Sequence, residues 1–208
     1  MPDPAIAQTK TLSTSCIVDV ETGGVKPEHP TIQIAAVIFD DATREIVDEI
    51  EVKLKFDENA CDPKALKMNH YNADVWHDEA VGLLTARAVL HKFFVKHRSY
   101  ELISKKTGDP YKIVRLIAHN ASFDIARLRA LWGDDFMPFC WWFPLDTLQL
   151  ALWHFSTMKT SSRPENFQLG TLCDFFGIDT SDAHDALTDC RLTLALLKRL
   201  RPLGLGSV

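Results

Sequence analysis

Residues 32–39 (IQIAAVIF) are apolar at every position except Gln33. A strand with one wet face alternates apolar and polar side chains. A run apolar at nearly every position reads instead as a central strand covered on both faces. The flanking segments extend this sheet. Residues 16–20 form a short β-rich run that ends at the turn Thr22-Gly23-Gly24. Residues 40–44 are a hairpin turn into a third strand over residues 46–56. There Ile50, Val52, Leu54 and Phe56 share one face, with Glu51, Lys53 and Lys55 on the other.

The pattern then turns helical. Asp62-Pro63 has cap and first-turn chemistry for a short helix through Met68. Residues 79–97 carry Leu83, Leu84, Leu90, Phe93 and Phe94 at helical spacing. A fourth strand over 112–118 runs into His119-Asn120, and a helix follows from Ser122 to Trp132. A short fifth strand near Phe143-Pro144-Leu145 precedes a helix over 147–155. A helix over 167–176 stops at Gly177, and the last helix spans 185–200. Early strands followed by strand–helix alternation predict an α/β fold with a mixed five-stranded sheet: three antiparallel strands, then parallel ones, flanked by helices. With 208 residues, one domain over 13–201 is expected, preceded by a disordered leader (1–12) and followed by a short tail (202–208).

No apolar run approaches the ~20 residues of a membrane helix, so no membrane association is expected. The N-terminus lacks the basic and apolar regions of a secretion signal. Five cysteines without metal-site or paired spacing read as reduced thiols, and a cytoplasmic protein is expected. The formal charge of −5 argues against coating nucleic acid by bulk attraction. It leaves room for a nucleic-acid enzyme whose carboxylates hold metal ions.

Four carboxylates sit at element ends. Asp19 and Glu21, two apart on one strand, face the same side. Asp124 follows the fourth strand in the first turn of its helix, and Asp189 lies in the first turns of the last helix. Ligands of open α/β sheets bind at the carboxyl ends of strands. Carboxylates gathered there repel unless hard cations such as Mg²⁺ or Mn²⁺ hold them. Two ions roughly 3.5–4 Å apart would clamp the attacking and leaving oxygens of a phosphodiester. His184 precedes Asp189 by five residues, a separation of about 140° on a regular helix at ~100° per residue. It therefore belongs on the entering loop, where an imidazole of pKa ~6.5 can take a proton from the attacking water. Taken singly, each acid also has a structural reading, as a turn residue, a helix start or a partner for Arg191. Their joint order at element ends is what selects the metal reading.

Three stretches, Val18-Asp19-Val20-Glu21-Thr22-Gly23-Gly24, Ile117-Ala118-His119-Asn120-Ala121-Ser122-Phe123-Asp124 and His184-Asp185-Ala186-Leu187-Thr188-Asp189, resemble the three motifs of the DEDDh 3′–5′ exonucleases. The resemblance covers about residues 14–200 and implies the ribonuclease H-like fold. It implies Asp19, Glu21, Asp124 and Asp189 as ligands of two Mg²⁺ or Mn²⁺ ions and His184 as general base. Asp185 stands where the tyrosine branch of the wider family has its Tyr, so the histidine branch is the match. Thr22, Gly23, Gly24 and Asn120 become candidate substrate contacts. Gly24 stands where many members carry a larger apolar residue that wedges against the terminal base, which implies a 3′-end pocket that is more open or differently walled.

Weaker features have two readings each. Asp146 resembles a recurrent acidic position of the family, but an N-cap role explains it better. His119 reads as a packed or hydrogen-bonded histidine. Trp141, Trp142 and Trp153 read as core rather than base-stacking platforms. Residues 99–111 make a long loop. Residues 91–115 hold seven Lys/Arg against Glu101 and Asp109, an excess of +5 that is either a solvated face or a phosphate-tracking surface. Residues 156–168, polar and without apolar period, read as a mobile flap whose Lys159 and Arg163 close on substrate phosphates, or as a plain connector.

These readings combine into a 3′–5′ exonuclease that releases nucleoside monophosphates from single-stranded 3′ ends, with DNA favoured over RNA. The alternatives are an RNA-trimming or oligoribonucleotide nuclease, a polymerase-associated proofreading subunit, and an inactive binding module. The sequence leaves the oligomeric state open, a homodimer included.

Overall fold

The structure is a computed structural model and describes residues 13–136, 139–140, 143–181 and 183–201. The leader expected over 1–12, the tail over 202–208, and Trp141 and Trp142 lie outside the described residues.

Strands β1 (Thr14–Thr22), β2 (Thr31–Asp40) and β3 (Ile46–Lys53) form an antiparallel meander. Helices α1 (Pro63–Met68), α2 (Ala73–Glu79) and α3 (Leu83–Lys96) follow, then the hairpin β4 (Tyr100–Ile103) and β5 (Pro110–Ile113). Next come β6 (Leu116–Ala118), α4 (Ala121–Trp132), β7 (Leu145–Asp146), α5 (Thr147–Phe155), α6 (Leu169–Phe175) and α7 (Ala186–Leu200). The main sheet has five strands in the order β3-β2-β1-β6-β7, with β6 and β7 parallel to β1. This is the ribonuclease H-like arrangement expected from the sequence.

The alternation of β1 decides which helix meets which side chain. Cys16, Val18 and Val20 face a core built with Leu90, Phe93 and Phe94 of α3 and Ile125 and Leu128 of α4. Ile17 points to the opposite face, where Ala186, Cys190, Leu194 and Leu197 of α7 pack. By the two-residue period Asp19 and Glu21 share that second face with Ile17. A register shift in the β1–β2 pairing falls between Glu21 and Thr22, where the strand leaves the sheet.

Three expectations are corrected. The helix read over 79–97 begins only at Leu83, because the backbone of Val81 is taken by the end of β3: it donates to Lys53 and accepts from Lys55 at 3.0 and 2.9 Å; α2 ends just ahead of it at Glu79. Leu83 and Leu84, placed on its apolar face, are exposed in the first turn of α3. The strand read over 112–118 is divided between two sheets: β5 pairs with β4, whereas β6 pairs with β1. The long loop over 99–111 is therefore mostly a hairpin. Trp153 is 79% exposed on α5, so the core reading fails for it.

Asp146 is an N-cap twice over. One oxygen accepts from the backbone N–H of Leu148 at 2.9 Å and of Asn120 at 3.0 Å; the other accepts from Ala121 at 3.1 Å. It satisfies the first turns of α4 and α5 together and lets Asn120 hold a left-handed conformation, φ 65. Asp146→Ala should lower stability by about 2 kcal/mol, read as a shift in urea midpoint, and Asp146→Asn by about half as much. An unchanged midpoint in Asp146→Ala would rule out this double cap.

Candidate active site

At the carboxyl end of β1, oxygens of Asp19, Glu21 and Asp189 lie within 4.8 Å of one another. The sheet face explains the meeting: α7 buries Ala186 and Cys190 against Ile17, and Asp189, beside Cys190, then overhangs the edge of β1. Asp124, almost fully buried in the first turn of α4, stands beside this set. The backbone N–H groups of Asp124 itself and of Val20 favour its charged form.

The cluster is electrostatically unfavourable by itself. Burial, followed by repulsion from Asp124, Glu21, Asp189 and Asp185, holds the Asp19 carboxyl well above the usual carboxylate range. Burial first, then Asp189 and Asp185, pushes Glu21 up to about 7. Burial raises Asp124 despite its two N–H donors, and raises Asp189 despite the N–H and charge of His184. Desolvation and like charge favour the neutral acids, and a hard divalent cation reverses both by supplying opposite charge. The all-oxygen donor set fits such an ion.

His184 occupies the loop before α7, exposed, with φ 71. Its backbone N–H donates to Asp189 Oδ1 at 3.3 Å. The loop is tied on both sides. His70 Nε2 lies 3.2 Å from the carbonyl of Ala183, and Asp185 caps α7 through Thr188 N–H at 3.1 Å while accepting from Gln33 Nε2 at 2.8 Å. Gln33, the one polar residue in the apolar run, thus anchors the site from β2. Asp189 does not pair with Arg191, which reaches Glu49 instead.

Thr22, Gly23 and Gly24 are buried in the turn after β1. The Thr22 hydroxyl donates to the Gly24 carbonyl at 2.8 Å, and Asn69 Nδ2 donates to the Thr22 carbonyl at 3.0 Å. Gly23 donates to Pro30 and accepts from Asp62 at 2.8 and 2.7 Å, and a Cβ there would lie 2.3 Å from Cys61 Sγ. These groups serve the turn itself. Gly24 has φ 148, and a Cβ would fall 2.0 Å from His29 Nδ1. A side chain at 24 would have to displace the His29 ring, and the apolar side chain projecting from this turn is Val25, 86% exposed. Arg127 of α4 clamps the turn by donating to the carbonyls of Lys26, Pro27 and His29 at 2.8, 3.0 and 2.8 Å. Sequence reading missed Asn69, His70, Gln33 and Arg127, because each is an isolated polar residue whose partner is remote in the chain.

His119 is structural, its ring nitrogens 3.0 Å from Thr147 Oγ1 and 2.9 Å from the carbonyl of Phe167. Burial lowers its pKa. The segment 156–168 is not the unordered flap expected. Arg163 turns inward and donates from Nε to the Met158 carbonyl at 2.8 Å and from an Nη to that of Ser156 at 3.0 Å. Phe167 packs against the cluster around Phe155. Lys159 remains exposed. In the basic stretch over 91–115, Lys96 pairs with Asp48 and Arg115 with Asp41, so part of its excess is neutralised. Among the described residues, no helix is long and apolar enough to cross a membrane.

A family model described as the 3'-5' exoribonuclease Rv2179c-like domain matches residues 14–198. No curated protein matches the sequence. Among solved structures, Escherichia coli exonuclease I in complex with a dA16 oligonucleotide is similar at 20% identity, covering 91% of this chain and 42% of that one, with a TM-score of 0.65. The zinc-bound E. coli exonuclease I–ssDNA complex has 20% identity, coverage of 92% and 41%, and a TM-score of 0.67. At this identity the likeness shows the shared fold, and the chain spans about 42% of exonuclease I's length.

The raised carboxyl pKa values fix a sign. Between the unfolded value near 4 and the folded values, the native state binds more protons, so the metal-free protein should lose stability as pH rises from about 4.5 to 7. Asp19→Asn removes a large part of this, so its melting temperature in EDTA should exceed that of wild type by a margin that widens with pH. Saturating Mg²⁺ should stabilise wild type much more than Asp19→Asn. A margin that narrows with rising pH would contradict the assigned repulsion.

Proposed function

The chain belongs to the 3'-5' exoribonuclease Rv2179c-like domain family, and from that membership we propose that it hydrolyses single-stranded nucleic acid from a free 3′ end, releasing nucleoside monophosphates. The observation that carries this reading is the convergence of Asp19, Glu21 and Asp189 within 4.8 Å, with buried Asp124 beside them. Asp19, Glu21 and Asp189 would hold Mg²⁺ or Mn²⁺, with Asp124 a donor toward a second ion. Bound there, such ions supply Lewis acidity toward the scissile phosphate and its nucleophile.

His184 is the general base. It sits on an exposed loop whose backbone is pinned to Asp189, which ties this residue to the rim of the carboxylate cluster, and its imidazole is the group there suited to accept a proton from water. Asn120, left-handed just before α4 and four residues ahead of Asp124, is the candidate contact to the substrate backbone, a reading supported by its position in the second motif. The Thr22–Gly24 turn contributes shape, with Val25 as its projecting apolar group. Lys159 supplies positive charge to the approaching phosphates, whereas Arg163 shapes the loop that carries it.

The family's description favours RNA, ahead of the DNA preference expected from sequence. The exonuclease I–ssDNA complexes share the fold and keep DNA as the second reading.

Incubation of 5′-labelled RNA and DNA oligonucleotides with Mg²⁺ should give a ladder shortening from the 3′ end, faster on RNA. Asp19→Ala and Asp189→Ala should abolish it while remaining folded. His184→Ala should lose about 10²–10⁴-fold in kcat yet still bind substrate with metal. Full activity in any of the three would sink the assignment of that residue.

Lys159→Gln should raise KM and flatten its salt dependence with little change in kcat. Arg163→Gln should instead speed amide exchange over residues 156–163, because its carbonyl partners lose their donor. An Arg163→Gln exchange pattern identical to wild type would show that the guanidinium does not hold the loop.

A further inference from the structure

A second cleft opens on the face of the sheet that carries Asp19, toward the other end of β1. Ser15, which lines it, precedes Asp19 by four residues, about 13 Å of strand. Helix α7 runs between the two places: Asp189 near its start belongs to the carboxylates, and Leu197 and Arg201 at its end line the cleft. The cleft has a volume of about 320 Å³. Ile117, Leu150 and Leu197 give it an apolar surface, and Arg44, Arg115 and Arg201 bring three guanidinium groups to it.

Two acids line the same cleft, and both are committed. Asp146 is held by three backbone N–H groups. Asp41 takes Arg115 at 2.8 Å and the hydroxyls of Ser13 and Ser15 at 2.7 and 2.6 Å. Arg44 differs from Arg115. Its Nε is buried without a hydrogen-bond partner, although its guanidinium lies over the Phe39 ring, 5.5 Å from the centroid. Its backbone is left-handed, φ 61, at a turn position where glycine or asparagine is the comfortable choice. Burial lowers its pKa; nearby Asp41 opposes this, and the like charges of Arg201 and Arg115 add to it. A strained, half-buried arginine thus stands beside two further guanidiniums, and among the described residues no carboxylate pairs with it directly. An oxyanion in the cleft would offset the repulsion among the three.

We propose that this cleft is a second ligand site, taking the phosphate group of a mononucleotide-sized anion at Arg44 and Arg201, with the ligand's apolar part against Ile117, Leu150 and Leu197. Its volume falls at the lower end for small-molecule sites, which suits one nucleotide and excludes a strand. The proposal does not depend on hydrolysis by the carboxylate cluster.

The test is calorimetric titration and thermal melting of the full chain in EDTA, with adenosine 5′-monophosphate, inorganic phosphate and adenosine. The mononucleotide should bind and raise the melting temperature, phosphate should bind at least tenfold more weakly, and adenosine should leave the protein unchanged. Arg44→Gly and Arg201→Gln should each weaken the mononucleotide at least tenfold without loss of folding, since glycine suits the backbone at 44. Both variants should keep wild-type oligonucleotide cleavage. Asp19→Asn should bind the mononucleotide like wild type, which separates this cleft from the carboxylates. The proposal is overturned by no mononucleotide binding, by binding retained in Arg44→Gly and Arg201→Gln, by binding lost in Asp19→Asn, or by equal affinity for phosphate and mononucleotide.

Discussion

Mutual repulsion among buried carboxylates is the constraint around which the rest of this molecule is arranged. Asp19, Glu21 and Asp189 meet at 4.8 Å or less on a largely apolar sheet face, and Asp124 adds a fourth charge beside them. An apolar replacement would stabilise the isolated fold, so the arrangement makes sense as a cation site. The scaffold offsets the repulsion only in part. The backbone N–H groups of Asp124 itself and of Val20 on β1 favour the Asp124 charge, and Asp189 accepts the N–H of His184 in the loop before α7. Both positions also lie at the positive ends of helix dipoles.

What keeps the carboxylates converged is a set of polar ties between loops distant in sequence. Arg127 holds the carbonyls of the turn after β1, and Asn69 holds Thr22 from the end of α1. Gln33 reaches from β2 to Asp185, and His70 faces the carbonyl before His184. Asp146 joins the starts of α4 and α5. The buried and half-buried ties, Asn69 to Thr22 and Gln33 to Asp185, also satisfy polar groups that burial would otherwise leave unpaired.

The segment 156–168 shows the same economy. Its composition lacks apolar period, yet Arg163 folds back on the carbonyls of Ser156 and Met158, Pro164 is buried, and Phe167 reaches the core at Phe155. Hydrogen bonds made by one long side chain order a stretch that hydrophobic burial alone would not. Trp153 errs in the opposite direction: a large aromatic on an apolar helix, yet solvent-exposed, because α5 turns Ala151 and Phe155 inward instead.

By itself, the sequence determined the sheet and the carboxylates. The continuous apolar run over 32–39, the two-residue spacing of Asp19 and Glu21, and the placement of Asp124 and Asp189 at helix starts are local patterns, and local periodicity survives in the linear chain. The helix over 147–155 and the caps at Asp62 and Asp146 were legible for the same reason. Only the tertiary structure decided that Val81 would pair with β3 ahead of the helix, that residues 112–118 would be shared by two sheets, and that Gly24 yields its space to His29. It alone brought Arg44, Arg115 and Arg201 to one cleft. Those outcomes depend on pairings outside the regular helix and strand spacings, several of them between residues far apart in the chain, and such contacts leave no period in the sequence because their partners are chosen by packing.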